Sequence, residues 1–101
     1  MEFRISGRHV DVSPAIKEYA ETKAAKLHRY FDRIQSINIV AAKHDSHSHE
    51  VEMIVKVEHA DAFVAKTTGN DLYGCIDDVV DKLERQLTDH KEKLRNRKHK
   101  T

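Results

Sequence analysis

The last eleven residues, KEKLRNRKHKT, hold 6 Lys+Arg against 1 Asp+Glu, whereas residues 1–90 hold 12 against 16. A net charge of +1 therefore conceals a +5 segment at the end of a body that carries −4. Ammonium and guanidinium groups gathered in this way suit one kind of chemistry, the neutralisation of successive phosphates on a polyanion. They also complement the negative end of a helix dipole with no ligand at all. From the tail alone, nucleic-acid binding and a plain solvated helix end both stand. A second cationic row, Lys26, Arg29 and Arg33, is spaced by three and four residues, which sets it along one side of a helix.

The segment KHDSHSHE brings His44, His47 and His49 close to Asp45 and Glu50, side chains of the types that hold zinc or another divalent cation. Their spacing fits no established metal motif, and a turn offers few groups to orient ligands. A polar loop is the competing reading, and neither a metal nor another cofactor is expected. An enzyme is not expected either. The chain has no phosphate-cradling Gly-rich loop and no Cys-His nucleophile pattern, and Asp77 and Asp78 diverge as helix neighbours. A two-layer domain of 101 residues also offers little concavity for a substrate. Cys75 is the single cysteine and has no internal disulfide partner. No run approaches the roughly 18 apolar residues of a membrane span, and MEFRISGRHV lacks the order of a secretory signal. The expectation is a cytoplasmic protein with no membrane or small-molecule partner.

Hydrophobic residues make up 39% of the chain and charged residues 35%, enough apolar material for one modest core. Phe3 and Ile5 alternate with Glu2 and Arg4 as in a short strand, with Gly7 marking its end or a bulge. Ser13-Pro14 is a helix start, the serine oxygen capping early N–H groups and the proline losing no bond. The helix it opens should run to about Phe31, with Ile16, Ala20, Ala24, Leu27 and Phe31 as its apolar stripe. Ile37, Ile39 and Ala41 share one face of a second strand. Val51, Met53, Val55 and Val57 share one face of a third, and Phe63, Ala65 and Thr67 one face of a fourth. Gly69-Asn70-Asp71 ends that strand and caps a last helix whose stripe is Leu72, Ile76, Val79, Val80, Leu83 and Leu87.

The order β-α-β-β-β-α, with one apolar stripe per helix, is satisfied by two helices packed on one face of a four-stranded mixed sheet. The fold class is thus α+β, a two-layer sandwich, with the first two strands parallel and the rest antiparallel. A last helix from Leu72 to Arg95 would be about 36 Å long, against about 20 Å for a six-residue strand. Its stripe fades after Leu87, so it should overhang the sheet and carry Lys91, Lys93, Arg95, Arg97 and Lys98 into solvent. Asp78–Lys82, Asp81–Arg85 and Asp89–Lys93 are i,i+4 pairs that support the helix without any function. The division this implies is a domain over 1–95 and a basic tail over 96–101.

Three motifs at matching distances carry a resemblance: Gly7-Arg8-His9-Val10, then Lys26-Leu27-His28-Arg29-Tyr30-Phe31-Asp32, then Asp81-Lys82-Leu83-Glu84-Arg85-Gln86-Leu87. With ISGRHVDVSPAIKEYAETKAAKLHRYFDRI and DLYGCIDDVVDKLERQLTDHKEK around them, essentially the whole chain resembles the bacterial ribosome hibernation-promoting factors, or ribosomal subunit interface proteins, in their short form. Gly74-Cys75 departs from the family's Ala-Ala pair, a change between small residues that keeps packing.

The resemblance implies that the 1–95 domain binds ribosomal RNA in the decoding region of the small ribosomal subunit. There it would block transfer RNA and messenger, inhibiting translation in starvation or stationary phase. The residues it assigns to RNA are Lys23, Lys26 and Arg29 on the first helix, Lys82, Arg85, Gln86, Lys91 and Lys93 on the last, and Arg8 at the first strand's end. Tyr73 is a stacking residue or simply a packing one. The implied partners are the small subunit, whole ribosomes and, as a further candidate, a separate ribosome modulation factor. Long members carry a dimerisation domain after a linker, which this chain is not expected to have. Two other readings compete: a generic double-stranded-RNA-binding module, which also lays two helices on a sheet, and a metal-binding protein using the His44/His47/His49 turn.

Overall fold

The computed structural model describes the backbone of residues 1–99 and the side chains of residues 1–95. It contains β1 (Glu2–Arg8), α1 (Pro14–Ala25), α2 (Leu27–Tyr30), β2 (Ile34–Lys43), β3 (His49–Val57), β4 (Phe63–Gly69) and α3 (Leu72–His99). The sheet order is β1-β2-β3-β4, with β1 parallel to β2 and the other neighbours antiparallel. Register lines the apolar positions up across all four strands: Ile5, Ile39, Met53 and Ala65 form one row, and Phe3, Ile37, Val55 and Phe63 another. Both rows face the helices, because side chains two apart on a strand share a face. Ala20, Ala24, Leu27, Ile76, Val79, Leu83 and Leu87 close over them, and this is the core. No polar or charged side chain is buried among the described residues.

The first helix starts where Ser13 and Pro14 place it. Ser13 Oγ accepts from the Ile16 N–H at 3.2 Å, and Pro14 occupies the first turn. It is not continuous to Phe31 as its stripe suggested. At Lys26 the ladder tightens to an i→i−3 bond, the Lys26 N–H donating to the Lys23 carbonyl at 3.2 Å. Lys26 keeps right-handed helical angles, φ −62 and ψ −29, so Leu27 and Phe31 stay in the buried stripe.

At the far end of β1, the chain doubles back tightly onto Gly7. A Cβ on Gly7 would run into the Val10 carbonyl oxygen and stand 3.2 Å from Val12 Cγ2, while His9 takes a positive φ of 58. Glycine is there because another backbone segment occupies the space of a side chain. Gly7→Ala is therefore expected to cost about 1–3 kcal/mol of stability, read as a lower denaturation midpoint in urea at unchanged slope; an unchanged midpoint would mean that the 7–10 turn opens freely.

The last helix is longer than the stripe implied. Its 28 residues span about 42 Å, and the molecule measures 54 × 22 × 18 Å along its principal axes. Asp71 caps its start, the carboxylate accepting from the Tyr73 N–H at 3.2 Å. Leu94 still packs against the core cluster, so the helix leaves the sheet later than the fading stripe suggested. The expected 96–101 tail begins inside this helix, and its side chains lie outside the described residues.

Candidate nucleic-acid interface

Between α1 and α3 lies a polar seam centred on Asp77. Its Oδ1 accepts from the Tyr19 hydroxyl at 2.6 Å and stands 3.5 Å from Lys23 Nζ. Lys23 Nζ also sits 5.5 Å from the centre of the Tyr19 ring. Hydrogen bonding to Asp77 raises the Tyr19 phenol above its usual pKa, and the same carboxylate's charge raises the Lys23 ammonium. Lys23 is thus engaged by its own fold. Tyr73 stands edge-on to Tyr19, ring centres 4.9 Å apart at 79°, so it packs at the helix start while remaining partly exposed.

On the other flank, α3 is tied to the sheet's edge strand. Lys82 Nζ donates to the Lys66 carbonyl at 2.9 Å and pairs with Asp78 at 3.3 Å, and Gln86 Nε2 donates to the Val64 carbonyl at 3.0 Å. Edge strands expose unpaired backbone groups that invite other chains, and these two side chains cover part of that edge. The Asp78 carboxyl is held below its ordinary pKa, first by the Thr67 hydroxyl and then by Lys82. Of the three expected i,i+4 pairs, Asp78–Lys82 alone is within ion-pair distance among the described residues; a Glu92–Arg95 contact at 3.0 Å also forms. Arg85 and Lys93 are left exposed.

A cleft of about 580 Å³ opens where the end of α2 faces the C-terminal half of α3. Arg29, Arg33, Lys91 and Arg95 stand around it, with Asp32 as its one acid, and Tyr30, Phe31 and Leu94 form its apolar lining. Phe31 is only 6% exposed and is braced by His90, ring centres 5.3 Å apart; Tyr30 is 39% exposed. The helical layer is thus most cationic at one end of the molecule, around an apolar recess.

Residues 3–95 match the family described as Sigma 54 modulation protein / S30EA ribosomal protein. The chain belongs to this family. It is 38% identical over 95 residues to the ribosome hibernation promoting factor of Escherichia coli (strain K12), covering 94% of this chain and 98% of that one. It is 39% identical over 93 residues to the factor of the same name from Azotobacter vinelandii, covering 92% and 85%. Among solved structures, a ribosomal subunit interface protein from Coxiella burnetii superposes with a TM-score of 0.83 at 29% identity, covering 91% of this chain and 99% of that one. The Protein Y N-terminal domain of Thermus thermophilus gives a TM-score of 0.76 at 29% identity, covering 87% and 94%.

For this member of the family, the residues that the resemblance assigned to RNA divide into exposed cations, side chains engaged by the fold, and one residue on the sheet's open face. Lys26 and Arg29 are exposed on the α1–α2 corner, Arg85 faces solvent on α3, and Lys91 and Lys93 continue toward the cationic end. Lys23, Lys82 and Gln86 are held in the contacts above. Arg8 differs most, since it is in phase with Arg4 and Ser6 on β1 and shares the sheet's open face, opposite the helices. Tyr30, Arg33, Leu94 and Arg95 are not among the residues that the resemblance assigns to RNA, although spacing puts Arg33 in a cationic row with Lys26 and Arg29 and Arg95 among the solvent-facing cations; Arg33 lies in the turn after α2, not on a helix.

The histidine-rich turn is organised by Asp45. Its Oδ1 accepts from the His47 N–H at 2.8 Å, and the His44 N–H donates to the Ser48 carbonyl at 3.0 Å. The bond from the His47 N–H, and after it the Ser48 hydroxyl, hold the Asp45 carboxyl below its usual pKa. Among the described residues no three His, Cys, Asp or Glu side chains converge as a metal site would require. No helix among them is long and apolar enough to cross a membrane.

Proposed function

We propose that this protein is a ribosome hibernation factor. It binds, rather than transforms, its partner: the cationic side of its helical layer lies against ribosomal RNA in the decoding region of the small subunit, in the path of transfer RNA and messenger. Translation is held idle there in starvation or stationary phase, in the cytoplasm. The observation that carries this reading is likeness to ribosome hibernation promoting factors along nearly the whole chain. The exposed cations give it a physical basis, because lysine and arginine along neighbouring helices meet successive phosphates, and folded RNA is recognised more by shape than by base edges. Lys26, Arg29, Arg85, Lys91 and Lys93 are the RNA-facing set. Lys23 and Lys82 join it by exchanging a partly exposed ion pair, worth at most about 1 kcal/mol, for a phosphate.

The test is sedimentation of the purified protein with small subunits and with whole ribosomes across a salt series. The expected result is stoichiometric binding, released steeply by salt as counterions are restored to the phosphates, with short duplex RNA competing poorly. Duplex RNA that binds as tightly as ribosomes would hand the interface to a generic double-stranded-RNA module instead.

A further inference from the structure

The cleft between α2 and α3 has a construction that a surface reading only a phosphate backbone does not need. Backbone contacts require exposed cations, and Lys26, Arg85 and Lys93 supply those outside the cleft. This recess adds apolar depth, with Tyr30, Phe31 and Leu94 inside and Arg29, Arg33, Lys91 and Arg95 around the rim, against Asp32 and the Glu92 carboxylate bonded to Arg95. Its volume of about 580 Å³ falls within the range of small-ligand sites, about 300–1,000 Å³. The excess of cations selects an anion, and three of the four are arginines, whose planar fork both grips phosphate and stacks on flat rings. The ligand that answers both features has a flat aromatic part beside a phosphate.

We propose that the cleft takes one unpaired nucleotide of an RNA strand. Its base stacks on Tyr30 over Leu94, and its flanking phosphates lie on Arg29, Arg33, Lys91 and Arg95. The proposal deepens the RNA-binding reading above and rests on it for the choice of RNA as the source. Tyr30 is suited to the task. It lines the cleft, and its 39% exposure leaves a surface for a base. Phe31, buried and braced by His90, forms the wall rather than the platform. Glu92 holds Arg95 at 3.0 Å on the rim, a contact exposed enough to yield to a phosphate.

The experiment titrates the full chain with a labelled single-stranded hexanucleotide, with a blunt duplex of the same length and with free ATP, following fluorescence anisotropy. The single strand is expected to bind more tightly than either competitor. Tyr30→Ala should weaken single-strand binding about 5- to 150-fold, the range for losing one base stack, without changing the salt slope because no charge is lost. Tyr30→Phe should bind as the parent does. Arg33→Gln should instead lower the salt slope by about one. Parent-like binding by Tyr30→Ala, with a parent-like circular dichroism spectrum, overturns the proposal, as does a duplex that binds as well as the strand. ATP binding equal to that of the strand overturns RNA as the source. No ribosome enters the assay, so strand binding that persists where ribosome sedimentation fails would sink the hibernation reading and leave the cleft standing.

Discussion

Exchanging Lys26, Arg29 and Lys91 together for glutamine is expected to weaken ribosome binding by about 100- to 1,000-fold at roughly 0.1 M salt, and to lower the salt slope by about three. All three are exposed cations of the helical layer, and none makes an ion pair among the described residues. The matching control is Arg4, Lys56 and Lys66 on the open face of the sheet, changed to glutamine in the same way. Both variants lose the same formal charge, so a non-specific effect of net charge would weaken them equally. The helical variant alone should lose affinity. If the open-face variant loses as much, or the helical one keeps parent affinity, the helical layer is not the face that meets RNA. The single-residue version of the argument is less decisive, because one phosphate contact changes the slope by only about one.

Leu83→Ala is expected to cost about 2–5 kcal/mol, a large share of the roughly 5–15 kcal/mol by which a domain of this size is stable. Leu83 is fully buried midway along α3, between Val79, Val80 and Leu87 and above β3. Truncating it removes apolar contacts and leaves a cavity that the close-packed sheet below cannot collapse to fill. For a domain near 100 residues each kcal/mol moves the melting temperature by about 4–8 °C, so thermal unfolding followed by circular dichroism should show a drop of at least 8 °C. Leu94→Ala offers the contrast. Leu94 is only partly buried beside the cleft, and its truncation should cost about 1 kcal/mol or less. Equal losses at the two positions would mean that the far end of α3 is as firmly packed as its middle.

Much of this architecture is legible in residue spacing. Val51, Met53, Val55 and Val57 alternate without a break, and every one of them is buried. The α1 stripe and its Ser13-Pro14 start are equally local signals, set by periods of two and 3.6 and by capping chemistry. The tightened turn at Lys26 carries no such mark, because nothing in the flanking residues breaks a helix. The site was legible in composition but not in arrangement. That Lys23 belongs to Asp77, 54 positions along the chain, or that Lys82 and Gln86 reach the carbonyls of β4, depends on how two helices settle side by side on one sheet. Arg8 is a different case. Its alternation with Phe3 and Ile5 already turns it away from the helices, so its place on the sheet's open face is legible in spacing. The cleft is wholly non-local, since its walls come from residues 29–33 and 91–95, which only the tertiary fold brings together.

The charge along α3 has a kinetic consequence. Asp71, Asp77, Asp78 and Asp81 crowd its start, while Lys91, Lys93 and Arg95 stand far along it. A rod-like molecule charged in this way is an electric dipole, and near a polyanion it feels a torque before it feels a contact. It turns its cationic end forward once it comes within about a Debye length, about 8–10 Å, of the polyanion and before contact. Encounter is therefore end-on, and the arrival rate, more than the lifetime of the bound state, should fall as ionic strength rises.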